Sequence, residues 1–234
     1  MSGLDIESIN TILGINEPFK APTRIMEIMF DRTKREQVFR RMLAIDSDVS
    51  VDWFHAYFEE EQADRKKNKQ DFTPDSISDL VSRLTESEGA KDYTVYDPTA
   101  GTGGLLIRKW WGEYSKPESL WAYRPQDYIF FAEELSDRAL PFLLFNLTLR
   151  GLNAVVVHGD TLERSARGVF LIENDMNDYL GFSSLNVFPR NEAVMREVDI
   201  RSWDGDEYPE HVESPLFMDI AGYFGLEASY ATQA

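Results

Sequence analysis

The sequence predicts an α/β fold, a mostly parallel, doubly wound sheet behind an amino-terminal helical cap. From Thr73 onward, short β-rich runs alternate with stretches of helical periodicity, the pattern of consecutive βαβ units. Before Thr73 the apolar residues recur only at helical spacing. A glycine-rich turn at residues 97–104 then sits between a strand and a helix, where α/β sheets bind ligands.

Taken in order, Ile25, Ile28 and Met29, then Val38, Phe39, Met42 and Leu43, form two helical apolar patches, and Pro22 suits a first turn. A further helix is expected after Ser50, with Trp53, Phe54, Tyr57 and Phe58 on one face. It runs into the charged stretch 59–69, a solvated end or hinge. Thr73 reads as an N-cap with Pro74 at the first helical position, followed by Ile77, Leu80, Val81 and Leu84. Thr94-Val95-Tyr96 is a strand leading into Asp97, and Leu105 to Trp111 a helix. Tyr128 to Phe131 is the second strand. Ser136 to Arg150 is helical, its start blurred by Pro141. Ala154 to Val157 and Val169 to Ile172 are the third and fourth strands, and the acidic region after Pro189 reads as loop-rich. The resulting division is a cap over 1–70, a sheet domain over 71–190 and an acidic extension over 191–234.

Composition narrows the class. Hydrophobic residues make up 43% of the 234 and aromatic residues 13%, enough for a sizeable core. Cysteine is absent, which excludes disulfides and zinc–thiolate sites and fits a reducing cytoplasm. The opening MSGLDIESIN lacks a basic stretch followed by an apolar one, and no run approaches the ~18 apolar residues of a membrane span. A cytoplasmic protein without membrane or metal partners is expected. The net charge of −17 opposes contact with nucleic-acid phosphates. Residues 191–234 carry ten acids against Arg196 and Arg201 alone. Bases cluster at Arg32-Lys34-Arg35, Arg40-Arg41 and Arg65-Lys66-Lys67-Lys69, read first as solvated helix faces and second as the places where DNA could touch.

The segment Asp97-Pro98-Thr99-Ala100-Gly101-Thr102-Gly103-Gly104 carries the most information. Its glycines let the backbone adopt positive φ and approach a ligand, and Asp97 at the strand end can accept from a ligand ammonium. It lacks the Lys-Ser/Thr ending of a nucleoside-triphosphate loop. The acids Glu133 and Glu134 after the second strand suit a ribose diol, or merely a helix start.

Four ordered segments resemble the N6-adenine DNA methyltransferases, above all the modification subunits of type I restriction–modification systems: Asp71-Phe72-Thr73-Pro74, the loop DPTAGTGG, Glu133-Glu134-Leu135 with Asn146-Leu147 and Gly151, and Gly159-Asp160-Thr161-Leu162. The resemblance implies a Rossmann-like, S-adenosylmethionine-dependent methyltransferase sheet. It implies that Thr73 meets the methionine carboxylate and Asp97 the ammonium. Thr99, Gly101 and Gly103 line the loop, Glu134 (Glu133 as second choice) grips the ribose, and Asp160 with Thr161 takes the adenine. The family's catalytic Asn-Pro-Pro-Phe or Tyr follows its fourth strand. Here Glu173-Asn174-Asp175-Met176-Asn177 stands instead, so Asn174 is the catalytic candidate without its prolines or its stacking ring.

The function expected is therefore a DNA adenine-N6 methyltransferase-like protein, dependent on a partner or impaired in chemistry. DNA would be reached through a specificity subunit and the other restriction–modification subunits. Two alternatives stand beside it: a non-catalytic acidic protein that occupies such an assembly or mimics DNA, and a methyltransferase for another substrate. His158 is expected to be structural, and Trp110, Trp111 and Trp121 to pack the sheet or cap.

Overall fold

The computed structural model describes residues 4–55, 57, 93–116 and 123–214. The expected helix from Thr73, the basic cluster at Arg65 to Lys69, Phe58 and Trp121 lie outside the described residues.

Three helices open the chain: α1 (Ile6–Leu13), α2 (Ala21–Met29) and α3 (Arg32–Leu43). Asp5 caps α1 by accepting the Ser8 amide, and Gly14 ends it in the left-handed conformation. Pro22 lies in the first turn of α2, and Asp31 caps α3 through the Lys34 amide. The predicted patches Ile25, Ile28, Met29 and Val38, Phe39, Met42 are buried in the main core. The sequence reading did not identify α1, although both of its caps are written in the sequence.

The sheet follows as β1 (Tyr93–Asp97), α4 (Gly104–Tyr114), β2 (Tyr128–Glu134), α5 (Leu140–Leu149), β3 (Ala154–Asp160), β4 (Ser165–Glu173), β5 (Ser184–Val187), α6 (Glu192–Glu197) and β6 (Ser202–Trp203). Strands β1, β2 and β3 lie side by side and parallel. Because the chain steps across the sheet in one direction, both crossover helices fall on one face. Leu106 and Trp110 of α4, with most of α5, accordingly share the main core with Phe130, Ala132, Ala154 and Val156. Helices α1–α3 pack on the same face, where Phe39 meets the edge of Phe145 at 4.6 Å. The second face carries a smaller cluster over β3 and β4, built from Val157, Val169, Phe188, Val194 and Ile200. This is an α/β, Rossmann-like fold with amino-terminal helices and a mixed sheet.

The mixed sheet corrects one expectation. Strand β4 was expected to extend a mostly parallel sheet, but it pairs antiparallel with β3, and β5 antiparallel with β4. Only four residues join β3 to β4, whereas a parallel return needs a dozen or more. Asp160 shapes the turn by accepting the Leu162 and Glu163 amides at 2.8 and 3.0 Å, and Arg164 leaves it at φ 57°. The ladder bulges at Arg167, and a Cβ on Gly159 would lie 2.1 Å from the Ser165 carbonyl oxygen, so only glycine fits there. Among the described residues, β1 has β2 as its single neighbour.

Candidate functional site

The carboxyl ends of β1, β2 and β3 gather three loops at one sheet edge. Asp97 and Ala132 are register partners, and side chains alternate along a strand, so Asp97 and Glu134 point to the same face. The loop 98–103 is tied to its neighbours at both ends. Gly101 donates its amide to Glu134 Oε2 at 2.7 Å, and Ala100 donates its amide to the Glu133 carbonyl at 2.9 Å. From the third loop the Thr161 hydroxyl donates to the Pro98 carbonyl at 2.8 Å. Gly101 and Gly103 hold φ of 58° and 96°, and a Cβ on Gly103 would press on Leu143 at 3.0 Å.

Burial raises the pKa of both site carboxylates, offset in part by backbone amides. Asp97 accepts the Thr99 amide through Oδ1 at 3.1 Å, and its other oxygen has no partner among the described residues. Both oxygens of Glu134 accept amides, from Gly101 and Ser136, and each keeps a second lone pair. Glu133 points to the opposite face and accepts the Tyr96 hydroxyl at 2.5 Å, with Arg164 at 3.5 Å. Of the two acids, Glu134 is therefore the one that shares a site with Asp97.

Two residues that the sequence motifs contain, but to which no role was given, stand at this edge. Leu135 is 61% exposed and Leu162 91% exposed, one residue after Glu134 and two after Asp160. Their signal was an apolar side chain within two residues of each acid, at a loop position where polar residues are the rule. Acids with unused acceptor capacity, left-handed glycines and apolar side chains without cover together fit a ligand with an ammonium, a diol and a flat ring. Among the described residues no cluster of side chains suits a metal ion.

Asn174 is elsewhere. Because β4 runs antiparallel, its carboxyl end lies at the amino edge of β3, far along the sheet from Asp97, Glu134 and Asp160. The Asn174 amide proton goes to Asn153 Oδ1 at 2.7 Å. Its side chain donates to the Gly151 and Asp178 carbonyls at 3.0 and 2.7 Å and accepts the Asp178 amide at 2.9 Å. Every polar group of this buried side chain is thus spent on shaping the loop 174–182. The structure brings Asp97, Thr99, Gly101, Gly103, Glu134, Asp160 and Thr161 to one edge and leaves Asn174 at the other. Thr73 lies outside the described residues.

The cations on α3 are each engaged within the fold, four of them by carboxylates. Arg35 is buried, with its guanidinium on the Glu213 carboxylate at 2.5 and 2.9 Å. Arg32 and Arg40 flank Glu36, Lys34 pairs with Asp31, and Arg41 donates to the Ile12 carbonyl. The solvated-face reading holds for most of them, but Arg35 is a core residue. His158 is structural as expected, buried with Nδ1 2.8 Å from the Tyr208 hydroxyl, and burial lowers its pKa.

Fold and site together define a Rossmann-like α/β protein with a glycine-rich loop at its strand ends. The chain belongs to the N-6 DNA methylase family, which matches residues 48–179, more than half of its length. Among solved structures it is similar to a protein from Listeria monocytogenes described as a class I S-adenosylmethionine-dependent methyltransferase, with 18% identity, 67% of this chain and 50% of that chain covered, and a TM-score of 0.43. It is also similar to the methyltransferase subunit of a type I restriction–modification system from Streptococcus thermophilus, with 19% identity, 67% and 38% covered, and a TM-score of 0.36. The chain thus spans half or less of the length of these two proteins. No curated protein matches it. No helix among the described residues is long and apolar enough to cross a membrane.

Proposed function

We propose that the carboxyl edge of β1–β3 binds S-adenosylmethionine, and that this chain alone holds the cofactor without passing its methyl group to adenine. One observation carries the reading: Asp97, Glu134 and Asp160 converge at one edge within the family-matched segment. When bound, the cofactor supplies an electrophilic methyl group on a sulfonium. The unclaimed oxygen of Asp97 accepts from the ammonium, and the free lone pairs of Glu134 accept from the ribose hydroxyls. Asp160, whose Oδ1 is spent on its own turn, offers Oδ2 to the adenine amino group, with Thr161 beside it. Leu135 and Leu162 give apolar cover to the ring. Thr73 belongs to the same reading through the methionine carboxylate, and Thr99 through the loop backbone.

Transfer to N6 of adenine needs an amide and a carbonyl at that same edge to hold the amino group. The Asn174 amide is fully committed at the opposite edge, which favours a cofactor-holding member of a restriction–modification assembly over a self-sufficient enzyme. DNA contact then falls to a partner specificity subunit, because most α3 cations already meet carboxylates of the fold and the chain carries −17. A pure DNA mimic is disfavoured, since a decoy has no use for a preorganised ligand loop.

Calorimetry with S-adenosylmethionine and with its demethylated product tests the cofactor claim. Binding in the micromolar range is expected, and none by folded protein at millimolar ligand would overturn it. Methyl incorporation into adenine-containing duplexes tests the second claim. None is expected from the isolated chain, and robust incorporation without cell extract would refute it.

A further inference from the structure

We propose that Asp52, delivered by the segment that follows α3, is a positioning residue for the cofactor loop, so that docking of this segment and occupancy of the loop are coupled. This rests on the reading that the loop binds cofactor. Thr102 stands between the two left-handed glycines of that loop, almost fully buried. Its hydroxyl donates to Asp52 Oδ2, a carboxylate 50 residues earlier in the chain. Its carbonyl accepts from Asn146 Nδ2 at 2.7 Å, and the same amide nitrogen donates to Asp52 Oδ1 at 2.8 Å. Both polar ends of Thr102 are thereby fixed by one carboxylate–amide pair.

Asp52 reaches this position because Arg150 holds its neighbours. The buried guanidinium donates to the Val49 and Val51 carbonyls at 2.8 and 2.7 Å, to the Asn146 carbonyl and to Asn146 Oδ1. The Trp53 ring lies 5.6 Å from it. Asp52 also accepts the Phe54 amide at 2.9 Å, which sets the local turn. If the segment lifts, the Thr102 hydroxyl and the Asn146 amide lose a partner in a buried place, where an unmade hydrogen bond is costly. The loop conformation that a ligand needs is therefore the one that the docked segment stabilises. By linkage, a ligand on the loop stabilises docking in return.

The test uses the full chain with S-adenosylhomocysteine, followed by calorimetry and amide hydrogen exchange. In the wild type and in Thr102→Ser, the product should slow exchange both at 98–103 and at 46–55. Thr102→Val should bind about tenfold more weakly and, when saturated, protect the loop but not residues 46–55. Asp52→Asn should weaken binding to a similar extent, and the double variant should lose about tenfold rather than the hundredfold of independent sites. A merely structural contact would lower stability in both variants, again less than additively in the double, and leave product affinity of the folded protein unchanged. A wild type that binds no product overturns the cofactor reading, and the coupling with it. A wild type that binds, with Thr102→Val unchanged in affinity and in protection of 46–55, overturns the coupling alone.

Discussion

The two edges of the sheet are built on opposite terms. At the carboxyl edge, Asp97 and Glu134 are buried carboxylates with acceptor capacity to spare, and Leu135 and Leu162 stand uncovered. Toward the amino edge the polar groups satisfy one another. Asn174 spends its amide on Gly151 and Asp178, Ser214 donates to Glu173, and Glu213 takes Arg35, His211 and the Leu185 amide. Among the described residues, one edge holds unmet polar demand that a ligand could satisfy, and the other holds the domain together. The contrast teaches that a motif's position along the chain does not fix its role, because the direction of the strand beneath it decides which edge it reaches.

The largest effect should come from the consolidated side. Glu213→Ala leaves Arg35 buried without its counter-charge and should cost about 3–5 kcal/mol in urea unfolding, with cofactor affinity retained in the folded fraction. Its pH dependence has a defined sign. Burial pushes the Glu213 carboxyl up, but hydrogen bonds from His211 and Arg35 outweigh it and pull it from 4.5 to about 2. A depressed native pKa stabilises the fold fully above about pH 4.5 and loses that contribution as pH falls from 4.5 toward 2. Unfolding followed across that window should show a steep acid limb that Glu213→Gln flattens.

Asn174→Ala comes next, with a loss of roughly 3 kcal/mol as buried backbone groups go unpaired. Product affinity measured calorimetrically should stay within about twofold, since the two edges are independent sites. A large loss of affinity at unchanged stability would erase the distinction between them. Asp97→Asn should do the reverse. Burial raises the Asp97 pKa, so its native-state contribution is lost as pH rises above the ordinary carboxylate range. A neutral amide removes that penalty, and the variant should gain on the order of 1 kcal/mol at neutral pH while losing detectable product binding. Thr161→Val is the smallest change. It removes one exposed hydroxyl bond to the Pro98 carbonyl, should cost about 0.5 kcal/mol, and should weaken binding a few-fold through a looser loop.

Much of the first half of the sheet was legible because its signals are local. Helical spacing marked α2 and α3, and β1–α4–β2–α5–β3 alternated as expected, though β2 and β3 run three residues longer than read. The acids at the strand ends were named from the sequence, and strand alternation puts Glu134 rather than Glu133 on the face of Asp97. The reversal of β4 escaped because the fourth strand was placed by its apolar residues and its neighbour by analogy. The arithmetic was available: between Thr161 and Val169 there is no room for a crossover helix, and a short connection after a strand means an antiparallel return. Strands β5 and β6 left no readable signal, being short and closed by polar residues such as Asn186 that find partners only in the folded chain. Asp52 is of the same kind, a single acid whose meaning comes from residues 50 and 94 positions away.

The pair between Arg35 and Glu213 also bears on how the chain assembles while it is being made. The two partners are 178 residues apart. At a synthesis rate of roughly 5–20 residues per second, the acceptor emerges about 10–35 s after the donor. During that interval α3 cannot seal its guanidinium inside the core without an uncompensated charge. Sealing of Arg35 beneath the amino-terminal helices is therefore expected to wait until the segment around residue 213 leaves the ribosome. Although the first part made, they are among the last to lock, and a nascent chain stalled before Glu213 would present them as an open surface to chaperones and proteases.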